Sequence, residues 1–441
     1  MGKYDLLFKL AKEAGIEEAE LYLGESRSLS ISLFHGEVDN YSDNNGYTIL
    51  ARGMINGKFG AASCDVWSKQ TAQFLVKEIA ANAKVIENED PMFIFEGSPK
   101  YKKINSFNSE LGKISIDEKM AKLRELENAI REFDPRIVEI AEVGYEESTS
   151  KITLLNSKGL NLTQRTNFYV YYGQAVAREG EQTKSGFDYC FGNDFSKLDI
   201  SALAKKIGKD TVDQLGGEAC ESSTYRAVLA PDVVRAFMSV LVGHVDAEEV
   251  QKKSSLFLGK LGQKVLSSKI TIEDRPLERN VFSRWFDDEG VATYNKSIFK
   301  NGVLQTYLYN LTTAAKDGVQ STGNGYRSGG KMSTSTTYLV LKPGKKSQEE
   351  LFAEIGDGVL ITSVSGLHAG MNQQSGNFSL QSTGYLIKNG KRDRALDIIT
   401  ISGNLLEIFN GVLSVGSDLE VSYGGVAAPS LLVKKITVSG K

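Results

Sequence analysis

Residues 47–63 read YTILARGMINGKFGAAS, and this stretch indicates how the first half of the chain folds. Two runs of strand-forming residues, 47–55 and 58–63, flank the dipeptide Asn56-Gly57. Asn-Gly tolerates the positive φ angles of a type I′ turn, so the pattern predicts an antiparallel hairpin. Asn301-Gly302 and Asn389-Gly390 repeat the signal later in the chain. Hairpins are therefore expected in both halves of the protein.

The remaining periodic segments predict a fold with few helices and many strands. Apolar residues recur at helical spacing near the start of the chain, after Ser68, and after Ser115, where Glu118 completes a capping box. The predicted helices cover residues 4–14, 68–83, 115–134 and 199–215, and the predicted strands include 29–33, 137–143, 151–155 and 168–177. Strict alternation of strand and helix is absent, which favours an α+β fold with mainly antiparallel sheet.

The length of 441 residues favours two domains. A small, polar stretch at 216–223 separates them, which predicts an N-terminal α+β domain over 1–215 and a β-rich C-terminal domain over 222–441. One long helix, over about 231–250, is expected near the start of the second domain. Gly is frequent at 43 residues and Pro scarce at 7, which is typical of glycine turns and excludes a proline-rich disordered chain.

Charge and cysteine content restrict the partners and the location. Lys and Arg total 52 against 55 for Asp and Glu, so no basic excess favours direct contact with nucleic acid. No apolar run approaches the roughly 20 residues that span a bilayer, so no membrane contact is expected. Cys64, Cys190 and Cys220 lie far apart, and the first residues lack the apolar core of a signal peptide. These features predict a cytoplasmic protein.

Single catalytic motifs are weak in this chain. Of three histidines, His244 lies near Asp246 and Glu249, which is compatible with a metal ligand or equally with a helix-capping histidine. A GxxxxGK match at 325–331 is followed by Met332, where a phosphate-binding loop carries Ser or Thr, and then by a strand pattern. The residues alone therefore leave the chemistry open.

A series of motifs in the second half is more specific. In order they are FDDEGV at 286–291, KNGVLQTYL at 300–308, STGN at 321–324, GYLIKNG at 384–390, ISGNL at 401–405 and VGSD at 415–418. Together they resemble the TldD/PmbA family, also called peptidase U62 or "modulator of DNA gyrase". The resemblance covers about residues 225–432, and the N-terminal half is compatible with it.

The resemblance implies a two-protein metallopeptidase. TldD-like subunits carry an HExxxH motif and a later Cys that hold zinc, whereas PmbA-like subunits, also called TldE, lack them. Carried over by position, the second His falls on His244, the first on Ser239 and the Glu on Val240. No Cys follows Cys220. The chain thus resembles the PmbA/TldE branch, with no catalytic or metal-binding residue of its own and with zinc expected in a TldD-like partner.

The expected function is that of a non-catalytic subunit in a cytoplasmic peptidase that degrades unstructured peptides. The partner would be a TldD-like sister subunit, or a second copy of the chain. Two alternatives stay open: a protein-binding modulator of DNA gyrase without a peptidase role, and a self-sufficient hydrolase with an unrecognised site. Whether the chain is itself an enzyme therefore stays open as well.

Five residues are candidate contacts for a peptide in a cavity. Asp287 and Glu289 form a short acidic stretch, while Asn324, Arg327 and Asn377 lie in glycine-rich loops. An extended peptide is held mainly through its backbone, which calls for side-chain amides and a guanidinium along a groove. The competing interpretation is that all five lie in solvated turns without a ligand.

Overall fold

The first half of the chain forms one antiparallel sheet. The computed structural model describes residues 2–85, 90–328 and 331–440. Six strands pair in the order β3-β2-β1-β4-β5-β6. Their bounds are β1 Glu18–Phe34, β2 Glu37–Ile55, β3 Lys58–Cys64, β4 Ile137–Asn156, β5 Asn161–Glu179 and β6 Gln182–Gly192. The two strands predicted at 137–143 and 151–155 are parts of β4, which runs through both without interruption.

The predicted hairpin turns are confirmed. Asn56 and Gly57 connect β2 to β3 with φ angles of 50° and 74°. Positive φ at both central residues is the requirement of a type I′ turn, and Asn and Gly meet it with little strain. Asn301-Gly302 and Asn389-Gly390 have the same signs of φ and join paired strands in the second half.

Four helices cover one face of this sheet. They are α1 Asp5–Glu13, α2 Lys69–Val85, α3 Ile116–Arg131 and α4 Ile200–Val212. Ser115 caps α3 by accepting a hydrogen bond from the N–H of Glu118 at 3.2 Å, as its position before the apolar repeat predicts. Leu21 and Leu23 of β1 pack under α1 and α2, whereas Leu29, Ile31 and Leu33 pack under α3 and α4. Alternate residues of β1 therefore supply both parts of the core.

The second half contains two larger sheets and one small hairpin. Its strands are β7 Ser223–Leu229, β8 Ile272–Asp274, β9 Lys296–Lys300, β10 Val303–Leu304, β11 Gly325–Ser328, β12 Lys331–Thr334, β13 Leu339–Leu341, β14 Gly358–Ser365, β15 Asn377–Lys388, β16 Lys391–Asn404, β17 Val412–Val415, β18 Glu420–Val421, β19 Val426–Ala428 and β20 Leu431–Ser439. One sheet has the order β10-β9-β8-β13-β19-β18, and the other has the order β16-β15-β14-β7-β20-β17. An additional pairing of β16 with β20 closes five strands of the second sheet into a ring.

The helix predicted over 231–250 is two helices. Helix α5 spans Pro231–Gly243 and has His244 as its C-cap. Helix α6 spans Ala247–Gln251, and its N-cap is Asp246, whose side chain accepts a hydrogen bond from the N–H of Glu248. Gly243 weakens the helix at its end, and the side chain of Asp246 starts a new one. Phe237, Met238 and Leu241 bury α5 in the core of the second half. The expected class, α+β with a β-rich C-terminal part, is confirmed.

Four short helices complete the second half: α7 Leu311–Asp317, α8 Gln348–Ile355, α9 Leu367–Gly370 and α10 Leu405–Asn410. The GxxxxGK match at 325–331 falls on β11 and β12, which pair as a two-stranded hairpin. A phosphate-binding loop would instead be followed by the first turn of a helix. Gly329 and Gly330 lie outside the described residues. Within the described ranges, no helix combines the length and the apolar character needed to cross a bilayer.

Gly60 tests how tightly α2 packs on β3. A Cβ atom at Gly60 would lie 2.0 Å from the carbonyl oxygen of Ile79 and 2.7 Å from the backbone nitrogen of Ala83. Because both atoms belong to backbone, α2 must move away, and we expect Gly60→Ala to lower the free energy of unfolding by about 2 kcal/mol. Urea titration measures this change. Gly112→Ala, at an exposed position with open space, should stay close to wild type; equal stabilities would contradict this packing.

Candidate functional site

Three of the five predicted contact residues, Asp287, Glu289 and Arg327, meet at an acidic turn, Asp287 to Val291. The N–H of Asp287 donates to the carbonyl of Val291 at 2.9 Å, and the N–H of Gly290 donates to the carbonyl of Asp287 at 3.0 Å. Gly290 has a φ angle of +85°. A Cβ atom at this position would lie within 3 Å of the side chains of Leu154 and Leu160. The turn therefore requires glycine, and it lies directly on strands of the N-terminal sheet.

The carboxylate of Asp287 organises the turn. Its Oδ1 accepts hydrogen bonds from the N–H groups of Glu289 at 3.0 Å and Val291 at 2.9 Å. Its Oδ2 accepts a third, from the N–H of Gly325 on β11, at 2.8 Å. Aspartate side chains favour such local bonds to the following backbone. The third bond ties the turn to the β11–β12 hairpin.

Asp288 joins the turn to the N-terminal sheet. Its carboxylate accepts hydrogen bonds from the hydroxyl of Tyr22 on β1 at 3.0 Å, from the N–H of Arg327 at 2.8 Å, and from the guanidinium of Arg284. Burial and the nearby Asp288 raise the pKa of Tyr22. The contact with Tyr22 crosses between the two halves of the chain.

Glu289 faces the start of α7 and shares its surroundings with Asp287. Its Oε2 accepts a hydrogen bond from the N–H of Leu311 at 2.7 Å. A Cβ built on Gly325 would lie 2.6 Å from Glu289 Oε2 and 3.0 Å from Asp287 Oδ2. Both carboxyl groups thus converge on the space that glycine leaves open. Burial and then the charge of Asp287 raise the pKa of Glu289.

Arg327 connects this turn to a buried ion pair of the N-terminal sheet. Glu20 of β1 and Arg52 of β2 are joined at 2.7 Å, and Arg327 Nη2 lies 3.4 Å from the same carboxylate. The guanidinium of Arg327 also lies over the ring of Tyr22, 4.9 Å from its centroid. Burial, and then repulsion by Arg52, lower the pKa of Arg327. Its Nε donates no hydrogen bond to any described residue.

The charges at this buried cluster between the two halves of the chain do not cancel if every group is ionised. Its seven charged residues are Glu20, Asp287, Asp288 and Glu289 with Arg52, Arg284 and Arg327. Four carboxyl groups face three guanidinium groups, so neutrality requires one proton on a carboxyl group. Burial raises the pKa of Asp287 as well, against three N–H donors that lower it. We assign the proton to the Asp287–Glu289 pair, because like charges at short range cannot both be ionised in a buried site.

Asn324 belongs to a second buried network. Its Nδ2 donates to Asp274 Oδ2 at 2.8 Å and to the carbonyl of Ser335 at 2.9 Å, while its Oδ1 accepts from Lys296 Nζ at 3.1 Å. Lys296 and Asp274 form an ion pair at 3.0 Å, and all three side chains are buried. The amide of Asn324 is therefore fully engaged within the protein.

Asn377 lies apart from both the acidic turn and the network of Asn324. It is exposed at the start of β15, and its Oδ1 accepts a hydrogen bond from Asn404 Nδ2 at 2.9 Å. These partners belong to the ring-forming sheet, whereas the acidic turn contacts the N-terminal sheet. The structure does not bring Asn377 into the cluster, and its role as a peptide contact stays a prediction.

The residues on which the resemblance places the zinc motif, on α5 and at its C-cap, do not fit a zinc site. Ser239 donates its hydroxyl to the carbonyl of Arg235 at 2.8 Å, Val240 has no donor atom, and His244 is 6% exposed. Burial lowers the pKa of His244, and its Nε2 has no hydrogen-bond partner among the described residues. One imidazole does not supply the three or four ligands of a zinc site. The described ranges also contain no group of three His, Cys, Asp or Glu residues suited to a metal.

Three residues from the N-terminal sheet complete the cluster and were not predicted from the sequence: Glu20, Tyr22 and Arg52. In β1 the residues Leu21 and Leu23 alternate with Glu20 and Tyr22, a pattern that predicts a solvent-facing polar side. In the structure that side is covered by the second half of the chain, and Glu20 is 1% exposed. Arg284 and Asp288 flank predicted residues, but their roles depend on contacts distant in sequence.

The sequence and the fold of this chain match a known group of proteins. Three family profiles match in sequence order: the PmbA/TldA metallopeptidase domain 1 at 19–83, its central domain at 109–215 and its C-terminal domain at 222–440. A metalloprotease PmbA homologue of Buchnera aphidicola is 27% identical over 98% of this chain and 95% of its own length. The chain belongs to the PmbA/TldD metallopeptidase family.

Solved structures agree with this assignment. A candidate modulator of a DNA gyrase from Thermotoga maritima has 32% sequence identity and a TM-score of 0.92, covering 99% of both chains. TldE from Thermococcus kodakarensis has a TM-score of 0.93 at 23% identity over 100% of both chains, which supports the fold. The family expected from the motifs of the second half is therefore confirmed.

We expect Glu289→Gln to flatten the pH dependence of stability. An unfolded glutamate has a pKa of about 4.3, whereas burial and Asp287 raise the pKa of Glu289 to about 8. Between these values the folded protein keeps a proton that the unfolded chain has released. The free energy of unfolding therefore falls as pH rises, by up to about 1.4 kcal/mol per pH unit. Glutamine mimics the protonated acid and does not titrate, so the variant should not show this fall in the free energy of unfolding.

Urea midpoints measured from about pH 5 to about pH 8 test this expectation. The exposed Glu221 provides the control, because Glu221→Gln should leave the wild-type slope unchanged. A Glu289→Gln variant whose stability falls as steeply as that of the wild type would show that the pair does not carry the proton.

Proposed function

We propose that this chain is the PmbA/TldE-like, non-catalytic subunit of a cytoplasmic TldD/TldE-type metallopeptidase. A TldD-like sister subunit supplies the zinc and the general base, and this chain completes the assembly that receives unstructured peptides. A pair of identical chains is the form expected when no sister is present. Family membership supports the peptidase assignment, and the residues on α5 support the division of labour.

The observation that carries the proposal is the chemistry at Ser239, Val240 and His244. The resemblance aligns these residues with a metal ligand, a general base and a second ligand. A serine hydroxyl engaged with a helix carbonyl is a poor zinc ligand, and valine cannot accept a proton. His244 alone retains the expected chemical type. No hydrolytic step is therefore assigned to residues of this chain.

The buried charged cluster supports a role in shaping the peptide cavity. Asp287, Glu289, Asn324 and Arg327 are at most slightly exposed, and their polar atoms hold the acidic turn and the β11–β12 hairpin in place. We infer that they fix the loops that a bound peptide would touch, while exposed Asn377 is free to make direct contact. Arg327→Ala would then change the cavity through the position of the hairpin.

A second candidate function is a protein-binding modulator of DNA gyrase. The description of the Thermotoga maritima relative, at 32% identity, favours keeping it. With a net charge of -3, any effect on the gyrase would act through protein contact and not through DNA. Direct titration of purified gyrase with the chain, with and without DNA, separates this function from the peptidase role.

Zinc content and peptide cleavage test the main proposal. The chain alone should hold less than about 0.1 zinc per molecule and cleave no disordered polypeptide, because one imidazole cannot retain the ion. Mixed with its HExxxH-bearing sister, the assembly should hold about one zinc per pair and gain cleavage activity. Elemental analysis and a peptide-release assay measure the two quantities.

Histidine variants provide the matched controls for this experiment. His244→Gln should leave zinc content and kcat of the mixed assembly unchanged, as should His368→Gln at an exposed position in α9. About one zinc per isolated chain, lost in His244→Gln but retained in His368→Gln, would contradict the proposed division of labour.

A further inference from the structure

A cavity of about 700 Å³ lies between the two halves of the chain, away from the acidic turn. Strand β6 and helix α4 form one wall. The start of α5, with parts of β14, β15 and β18, forms the other. A cavity of this volume accommodates a small organic ligand or a short peptide. It lies at the opposite end of α5 from His244.

Ion pairs hold the two walls together. Lys206 of α4 lies 2.7 Å from Asp188 of β6 and 3.6 Å from Glu420 of β18. Arg392 of β16 lies 2.5 Å from Asp213, which directly follows α4. Lys206 and Arg392 therefore already have carboxylate partners within the protein.

The start of α5 has unsatisfied capacity for an anion. Its N-cap is Ala230, which makes no side-chain hydrogen bond to the first turn. The first-turn N–H groups of a helix lack acceptors within the helix and carry a partial positive charge. Asp232 partly offsets this charge, but its side chain is 67% exposed and forms an ion pair with Arg235.

Arg235 supplies an independent sign of a missing acceptor. Its side chain is 9% exposed, and it contributes to the wall of the cavity. Nη2 bonds Asp232, whereas Nη1 has no hydrogen-bond partner among the described residues. A carboxylate oxygen of Glu420 lies 3.7 Å from Nη1, within ion-pair range but beyond hydrogen-bonding distance. A buried guanidinium N–H without an acceptor is costly, and a carboxylate ligand would satisfy it.

Acidic groups restrict the ligand to one that also carries a positive charge. Asp188, Asp210 and Glu420 line the same cavity. The carboxylate of Asp210 forms no ion pair within 4 Å and accepts no hydrogen bond from the described residues, which leaves it available for an ammonium group. Two carboxylates near Lys206 would repel a doubly charged phosphate.

We propose that this cavity binds a short zwitterionic peptide, with its terminal carboxylate at Arg235 and the start of α5 and its ammonium group toward Asp210. The choice of a peptide rests on the proposed peptidase role, whereas the two charged ends rest on the cavity itself. Tyr189 and Tyr385 on the walls provide aromatic surface for the side chains between the ends.

Calorimetric titration of the isolated chain with trialanine tests the site without the sister subunit. Amidation of the peptide's carboxyl terminus should weaken binding at least about tenfold, because Arg235 loses its charged acceptor. Acetylation of the amino terminus should weaken it through Asp210. Absence of binding, or equal affinity for the acid and the amide, would overturn the proposal. Alanine binding as tightly as trialanine would overturn the assignment to a peptide.

Variants locate the site in the protein. Arg235→Gln should weaken trialanine binding at least about tenfold, whereas Arg279→Gln, an exposed arginine beside a different cavity, should leave it unchanged. Trialanine binding that Arg235→Gln leaves intact would overturn the site. If that variant does not fold, the comparison of acid and amide on the unchanged chain decides. This experiment measures binding and not cleavage. A failure to bind trialanine would therefore not contradict the proposed subunit role, which the zinc content tests separately.

Discussion

The hydrogen bonds accepted by Asp287 are the constraint on which the contact between the two halves of the chain depends. One carboxylate accepts three backbone N–H groups, two from its own turn and one from the β11–β12 hairpin. With the turn fixed in this way, Asp288 reaches Tyr22 on the N-terminal sheet and Glu289 reaches the start of α7. The positions of three acidic residues follow from a single local geometry.

Burial of so many charges between the two halves of the chain favours one relative position over all others. An apolar contact tolerates small displacements, because dispersion and burial are not directional. The cluster of four carboxyl and three guanidinium groups would leave uncompensated charge if the two halves of the chain shifted. The neighbouring apolar contacts of Trp285 and Phe286 with Leu154 and Leu162 add burial to this arrangement. Charge therefore selects the geometry, and apolar area supports it.

Helix α5 connects the two regions for which a function is proposed. Its C-terminal end presents His244, where the resemblance places a catalytic motif, and its N-terminal end opens on the cavity beside Arg235. The middle of the helix is buried by Phe237 and Leu241 and cannot take part in either. Different residues carry the core packing and the chemistry at the end of this helix. A family member that lacks the metal ligands there can therefore keep the packing that the core requires.

The sequence alone determined the elements with a local cause: the Asn-Gly hairpins, the helix started by Ser115, the α+β class and the family. Turn angles, caps and periodic burial depend on neighbours a few residues apart. Only the tertiary structure decided that Glu20 and Tyr22 are buried, that Asn324 is fully bonded and that Asn377 lies elsewhere. An alternating strand shows two faces in its sequence, but whether water or another domain covers the polar face depends on contacts hundreds of residues away.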